Sequence, residues 1–317
     1  MIDYQKLPSP CFVIEESRLR RNLETISAVA AEAGVEIIIA FKAFAGWALF
    51  PVINEYIKGA AASSYSEARL CFEEMGTRAH TYSPAYSEEE IDPIIEMSSH
   101  ITFNSLSQYN IFSEKIRKSG RKVSAGLRIN PEFSRVEQGL YNPCSPGSRL
   151  GITAGDLPGK LPGGIEGFHL HALFESDSYA LEEILSEVEK KFGHYFPSLK
   201  WINLGGGHLI TGKEYDREHL VKLLSDFRKR TGLHVILEPG SAFVWETGEL
   251  VATVEDVVSN QGIDTAILNV SFTAHMPDCL EMPYKPVVLN SVEPGPGRHP
   301  FRLGGNSCLS GDFMGDW

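Results

Sequence analysis

The chain has 317 residues, 43% of them hydrophobic and 22% charged, with a formal net charge of −12. That length suits one large α/β domain with a smaller companion. The acidity argues against nucleic acid and anionic membranes as partners and mildly favours cationic substrates, although an ordinary solubilising surface also carries such charge.

The start, Met1 to Pro10, shows no basic stretch leading into an apolar core, and no apolar run approaches the roughly 20 residues of a membrane span. The cysteines, Cys11, Cys71, Cys144, Cys279 and Cys308, are odd in number and form no CxxC pair, so neither a disulfide framework nor a zinc site is expected. A reducing cytoplasm is the expected compartment.

Short apolar runs alternate with amphipathic segments along most of the chain. The pattern predicts strands at 36–40, 60–64, 78–82, 100–104, 123–130, 165–172, 200–204 and 234–238. Helices are predicted at 16–33, 66–75, 87–97, 105–118, 179–192 and 215–231. Eight strands separated by helices suit a (β/α)8 TIM-like barrel over residues 1–240, with an open doubly wound sheet as the alternative. After Glu238-Pro239-Gly240 the texture changes to strands at 247–259, 265–271, 286–292 and 301–303, joined by Gly/Pro-rich turns. Residues 241–317 are therefore expected to form a smaller antiparallel β domain, which the first residues of the chain join.

In a barrel the ends of the strands define the active face. Lys42 follows Ile37-Ile38-Ile39-Ala40-Phe41 and ends the first strand. Lysine is rarely buried without a reason, and a strand-end amine with a lowered pKa is suited to condensing with an aldehyde. The plainer alternative is a side chain reaching for solvent. Asn104 ends the fourth strand and Arg128 lies on the fifth. His169 and His171 end the sixth, and one of the two is expected to face the barrel mouth and stack on an aromatic ligand. A metal pair there lacks a completing carboxylate or cysteine, so no metal is expected.

Gly205-Gly206-Gly207 ends the seventh strand, where backbone amides can approach a phosphate, although a tight turn uses glycine equally. Glu238 ends the eighth before Pro239-Gly240. A carboxylate at that depth needs a partner, either a protonated pyridine nitrogen or Arg128.

Together these motifs resemble the pyridoxal-phosphate signature of the fold-type III, alanine-racemase-like decarboxylases. The entry run Pro8-Ser9-Pro10-Cys11-Phe12-Val13-Ile14 and the late run Gly305-Asn306-Ser307-Cys308-Leu309-Ser310-Gly311-Asp312 are similar to motifs of that group. Within it, 168–176 and 274–284 resemble the carboxynorspermidine/carboxyspermidine decarboxylases. The His-x-Gly-Ser pattern of the ornithine and diaminopimelate enzymes is replaced here by His171-Ala172-Leu173-Phe174. The arginine those enzymes tend to have after Glu-Pro-Gly is replaced by Ser241. The family also continues beyond the position of Trp317 into a segment whose tyrosine contacts the cofactor phosphate, so the β domain is expected to be shortened.

The resemblance implies that Lys42 binds pyridoxal 5'-phosphate covalently, with Arg128, His171, Gly205, Gly206, Gly207, Glu238 and Gly240 around it. It implies a homodimer with shared active sites, in which Cys308 acts from the neighbouring subunit as a proton donor. Ser241, Asp278 and Asp312 become candidates for binding a polyamine-like substrate. The implied reaction is decarboxylation of carboxynorspermidine or carboxyspermidine. Two alternatives are another decarboxylase of the group, acting on diaminopimelate, ornithine or arginine, and a non-catalytic pyridoxal-phosphate-binding protein.

Overall fold

The computed structural model describes residues 2–282 and 284–317. Pro283, which belongs to the 274–284 motif, and Met1 lie outside the described residues. The chain divides into two compact units, one comprising the first 15 residues with Thr247–Trp317 and the other Glu16–Glu246.

In the smaller unit, β1 (Cys11–Ile14) pairs antiparallel with a strand from beyond the barrel. The larger unit carries β2 (Glu36–Ile37), β3 (Ile39–Ala40), β4 (Ala60–Ala62), β5 (Ala79–Tyr82), β6 (Ser98–Phe103), β7 (Ser124–Arg128), β8 (Ile165–His169), β9 (Trp201–Asn203) and β10 (His234–Leu237). All their pairings are parallel, in the order β2-β10-β9-β8-β7-β6-β5-β4-β3. β2 and β3 are consecutive parts of the predicted first strand. Ile38 donates back to Leu237, Ile39 across to Gly59 and Ala40 to Pro239, so the ladder closes on itself. This is the expected barrel.

The helices that return the chain have local causes. Leu19, Leu23, Ile26 and Ala33 recur three, four or seven apart on the helix Glu16–Ala33 and are fully buried. Ser105, Asp177 and Asp216 cap later helices by accepting from Gln108, Ala180 and His219 amides. The barrel unit runs past the expected boundary at Gly240. The short helix Ser241–Val244 is held to the barrel because Asn22 donates to the carbonyls of Phe243 and Trp245 at 3.2 and 2.9 Å.

Inside the barrel Trp201 packs with Ile38, Ala40, Ala61 and Ile236. Its ring occupies the place of two absent side chains. A Cβ on Gly167 would lie 2.0 Å from it, and one on Gly126 2.4 Å away. The indole N–H donates to Ser124 Oγ at 2.8 Å. Among the described residues no helix is long and apolar enough to cross a membrane.

The smaller unit continues with β11 (Gly248–Val251), the partner of β1, and with β12 (Val254–Asn260), β13 (Ile263–Leu268), β14 (Phe301–Gly304) and β15 (Phe313–Asp316). The last four form a sheet that is antiparallel except for the parallel β13–β14 pair. The strand expected at 286–292 is absent. Pro286 has no N–H to give a ladder, Val287 is 89% exposed, and Ser291 turns back to Val288. Leu268, Val270, Phe272, Cys279 and Met314 form this unit's own core.

Candidate active site

The ends of the barrel strands open on a cavity of about 650 Å³, walled by Lys42, His171, Gly206, Gly207, Glu238 and Ser241 together with a loop from Gly139 to Leu150. Gly240 also lines it. Lys42 stands in the turn after β3, with its Nζ 3.3 Å from His171 Nε2. Burial of the amine lowers its pKa and the nearby Arg128 adds to the effect, against an opposing pull from Glu238.

The state of His171 follows from its neighbours. The Gly206 N–H can only donate, and it donates to His171 Nδ1 at 3.0 Å. Burial holds His171 well below the usual imidazole pKa, with Lys42 and Arg128 pushing the same way. A neutral ring that accepts at Nδ1 carries its proton on Nε2, facing Lys42.

His169 and His171 both turn inward, which corrects the expectation that only one would. Residues two apart on a strand share a face. His169, the last residue of β8, places Nε2 3.4 Å from Glu238 Oε2. Asn203, at the end of β9, donates to Glu238 Oε1 and accepts from Gly205 N–H at 2.9 Å. Burial pushes the Glu238 pKa up, but His169 and the Asn203 amide outweigh it and hold the group below the usual carboxylate range. His169 is itself held neutral by burial. Glu238 is thus an ionised carboxylate with a donor on each oxygen.

Arg128 does not pair with Glu238. It is 5% exposed, lies over the Tyr82 ring at 4.6 Å and donates to the His171 carbonyl at 3.4 Å, so it steadies the histidine segment. The glycine triplet divides its duties. A Cβ on Gly205, Gly206 or Gly207 would come within 2.3–2.4 Å of a backbone oxygen or carbonyl carbon, so close packing alone requires glycine at all three. The Gly205 and Gly206 amides are used inside the protein. That leaves Gly207, on the cavity wall, as the amide of the triplet without a partner among the described residues.

The other candidates belong to the smaller unit. Cys308 is an exposed thiol. Asp278 begins a short helix and accepts from Tyr284 Oη at 2.8 Å. Asp312 is 4% exposed and turns into its own unit, accepting from Phe272 N–H at 2.8 Å. Burial pushes its pKa up, yet hydrogen bonds from Ser307 and the Phe272 amide hold it low, so this carboxylate anchors the turn after β13.

Tyr82, Asn203, Arg149 and Tyr141 complete the surroundings and were not singled out from sequence, whereas Phe174 and Glu175 belong to the 168–176 run that carried the family resemblance. Asn203 carried a signal of the kind that marked Lys42, a polar residue closing the apolar run Trp201-Ile202. The loop residues carried none. Asn104 anchors their loop, donating to the Arg149 carbonyl and accepting from Gly151 N–H and Tyr82 Oη, each at 2.8 Å.

No protein-family model matches the chain. It is 49% identical over 312 residues to the carboxyaminopropylagmatine decarboxylase of Synechocystis sp., an alignment covering 98% of this chain and 80% of that protein. It is 42% identical over 325 residues to the carboxynorspermidine/carboxyspermidine decarboxylase of Campylobacter jejuni, covering 99% and 84%. The crystal structure of carboxynorspermidine decarboxylase from Campylobacter jejuni, complexed with norspermidine, matches with a TM-score of 0.87 at 40% identity over 98% of this chain and 83% of that one.

Proposed function

We propose, from the premise that this chain belongs to the carboxynorspermidine/carboxyspermidine decarboxylases, a fold-type III family of polyamine biosynthesis, that it removes the carboxylate from carboxynorspermidine or carboxyspermidine as carbon dioxide. The chain is a carboxy-lyase. One observation carries the mechanism: the Lys42 amine, the His171 imidazole and the Glu238 carboxylate meet in a single cavity at the ends of the barrel strands.

Those residues fit pyridoxal 5'-phosphate, on which this family generally depends. When bound, it supplies an aldehyde for the substrate amine and a ring that takes up the electrons released with carbon dioxide. Lys42 would hold the aldehyde carbon, and the lowering of its pKa by burial favours the nucleophilic form of the nitrogen. Glu238, held as a carboxylate by two donors, would keep a proton at the ring nitrogen. His171 offers a flat, neutral surface beside Lys42, oriented by Gly206 and steadied through its carbonyl by Arg128. Gly207 would offer an amide to the phosphate, and Ser241, on the same wall, is a candidate for binding the substrate.

We assign the enzyme to a homodimer in which Cys308 of the partner subunit returns a proton to the carbon that lost its carboxylate. Asp278 stands as the candidate for a distal substrate amine. The five free thiols suit the reducing cytoplasm. A second reading, decarboxylation of carboxyaminopropylagmatine, is favoured by the 49% identity to the Synechocystis enzyme.

The test is an absorption spectrum of the purified protein followed by carbon dioxide release from both carboxylated triamines, carboxyaminopropylagmatine, diaminopimelate, ornithine and arginine. A near-visible band that Lys42→Ala abolishes, with turnover of the triamines, is expected. Turnover of diaminopimelate alone, or the band without turnover of any substrate, would overturn the assignment.

A further inference from the structure

Asn104 stands directly after β6, and the chemistry of the cavity floor makes no use of it. Its half-buried carboxamide nevertheless holds three partners, each at 2.8 Å. The Gly151 N–H can only donate, so the atom it meets is Oδ1. Nδ2 is then the atom that faces the Arg149 carbonyl. Tyr82 Oη donates to the same Oδ1. One side chain thus ties the end of β5 to both residues flanking Leu150.

The two sides of that link lead to different parts of the cavity. On one side, Arg149 and Leu150 end the loop 139–150 that forms a cavity wall. Gly151 holds this end against the barrel, where a Cβ would lie 2.9 Å from the Ile129 carbonyl carbon. On the other side, the Tyr82 ring carries the Arg128 guanidinium at 4.6 Å and packs near the His169 ring at 5.2 Å. Arg128 reaches the His171 carbonyl at 3.4 Å, and His169 reaches Glu238 at 3.4 Å. Each step from the loop to these two floor residues is a direct contact.

We propose that Asn104 is a positioning residue for the decarboxylation, one that acts through Tyr82 to fix the 139–150 wall relative to the floor made by His171 and Glu238. This role rests on the decarboxylase function proposed above. A substrate that touches both surfaces is held in reacting geometry only while the two keep one spacing. The contacts select an amide. A carboxylate would oppose the Arg149 carbonyl, and an alanine would strip a partner from the carbonyl, the N–H and the hydroxyl at once.

The experiment takes Asn104→Ala, Asn104→Asp, Tyr82→Phe and the double variants, each with and without added pyridoxal 5'-phosphate. Without cofactor, trypsin is expected to cleave after the exposed Arg149 several-fold faster in both Asn104 variants than in the wild type. With cofactor, the near-visible band should persist while kcat/KM for the preferred substrate falls roughly tenfold in Asn104→Ala. Tyr82→Phe should lower kcat/KM as well. The Asn104→Ala, Tyr82→Phe double variant should be no slower than Asn104→Ala, because both changes break one link. Losses that multiply in the double variant would separate the two residues and overturn the role. Should Asn104→Ala not fold, Asn104→Asp with Tyr82→Phe decides by the same non-additivity. A purely structural asparagine would lower Tm and leave the Arg149 cleavage and kcat/KM of the folded protein unchanged. If the wild type turns over no substrate, the proposed function fails and this role with it. If it does and Asn104→Ala keeps kcat/KM within twofold, this role alone is overturned.

Discussion

Glu238 shows how neighbours decide what a single residue can do. Buried alone, its carboxyl would take up a proton. Between His169 and Asn203 it stays ionised and able to face a positive ring nitrogen. Glu238→Gln keeps the shape and removes the charge. The variant is expected to retain the cofactor's near-visible band while kcat falls on the order of 10²-fold, the usual cost of losing one aligned electrostatic contact. Steady-state kinetics with the spectrum recorded in parallel decide this, and turnover near the wild-type rate would reduce Glu238 to a packing role. Lys42 and Glu238 were visible in the sequence because a charged residue interrupts an apolar strand at each position. Glu175 was marked only as part of the 168–176 run, and the left-handed backbone it adopts was not legible there.

Elements were legible where periodicity was strong. The helix Glu16–Ala33 starts and ends where its apolar repeat does, and all eight barrel strands lie within the predicted runs or one to two residues beyond them. Weak periodicity failed in the smaller unit. Val287-Val288-Leu289 reads as a strand yet has no ladder, and Phe313–Asp316 pairs with β14 despite an internal glycine. The barrel also depends on one fit that composition hides, the Trp201 ring lying against the bare backbone of Gly126 and Gly167. Gly167→Ala is expected to destabilise the protein by about 1–3 kcal/mol, seen as a lower urea midpoint at unchanged m-value. Adding Trp201→Leu should recover part of that loss, since it vacates the clash. Additive effects in the double variant would place the strain elsewhere.

For the whole molecule, the buried imidazoles of the barrel tie stability to pH. Burial lowers the pKa of His80, His169 and His171, takes His208 to about 4 and His100 to about 3. In the unfolded chain these rings titrate near pH 6.5. Their contribution is therefore complete above about pH 6.5 and is lost progressively as pH falls toward the folded values, because the unfolded chain then binds protons that the folded one refuses. The urea midpoint should be lower at pH 5 than at pH 7.5, and equal midpoints would contradict it. The proposed dimer makes a second prediction at this scale. Mixing inactive Lys42→Ala and Cys308→Ala subunits should restore roughly a quarter of wild-type activity, since about half the dimers are mixed and each has one intact site of two. No recovery despite proven subunit exchange would confine Cys308 to its own subunit.

The pairing of β2 with β10 sets a clock on the molecule's own manufacture. The strand that leads to Lys42 is made before its partner at Ile236 and Leu237, which comes about two hundred residues later. At about 5–20 residues per second that is a wait of roughly 10–40 s, during which the barrel cannot close. The pocket around Lys42 is therefore complete only after almost the whole barrel has been made.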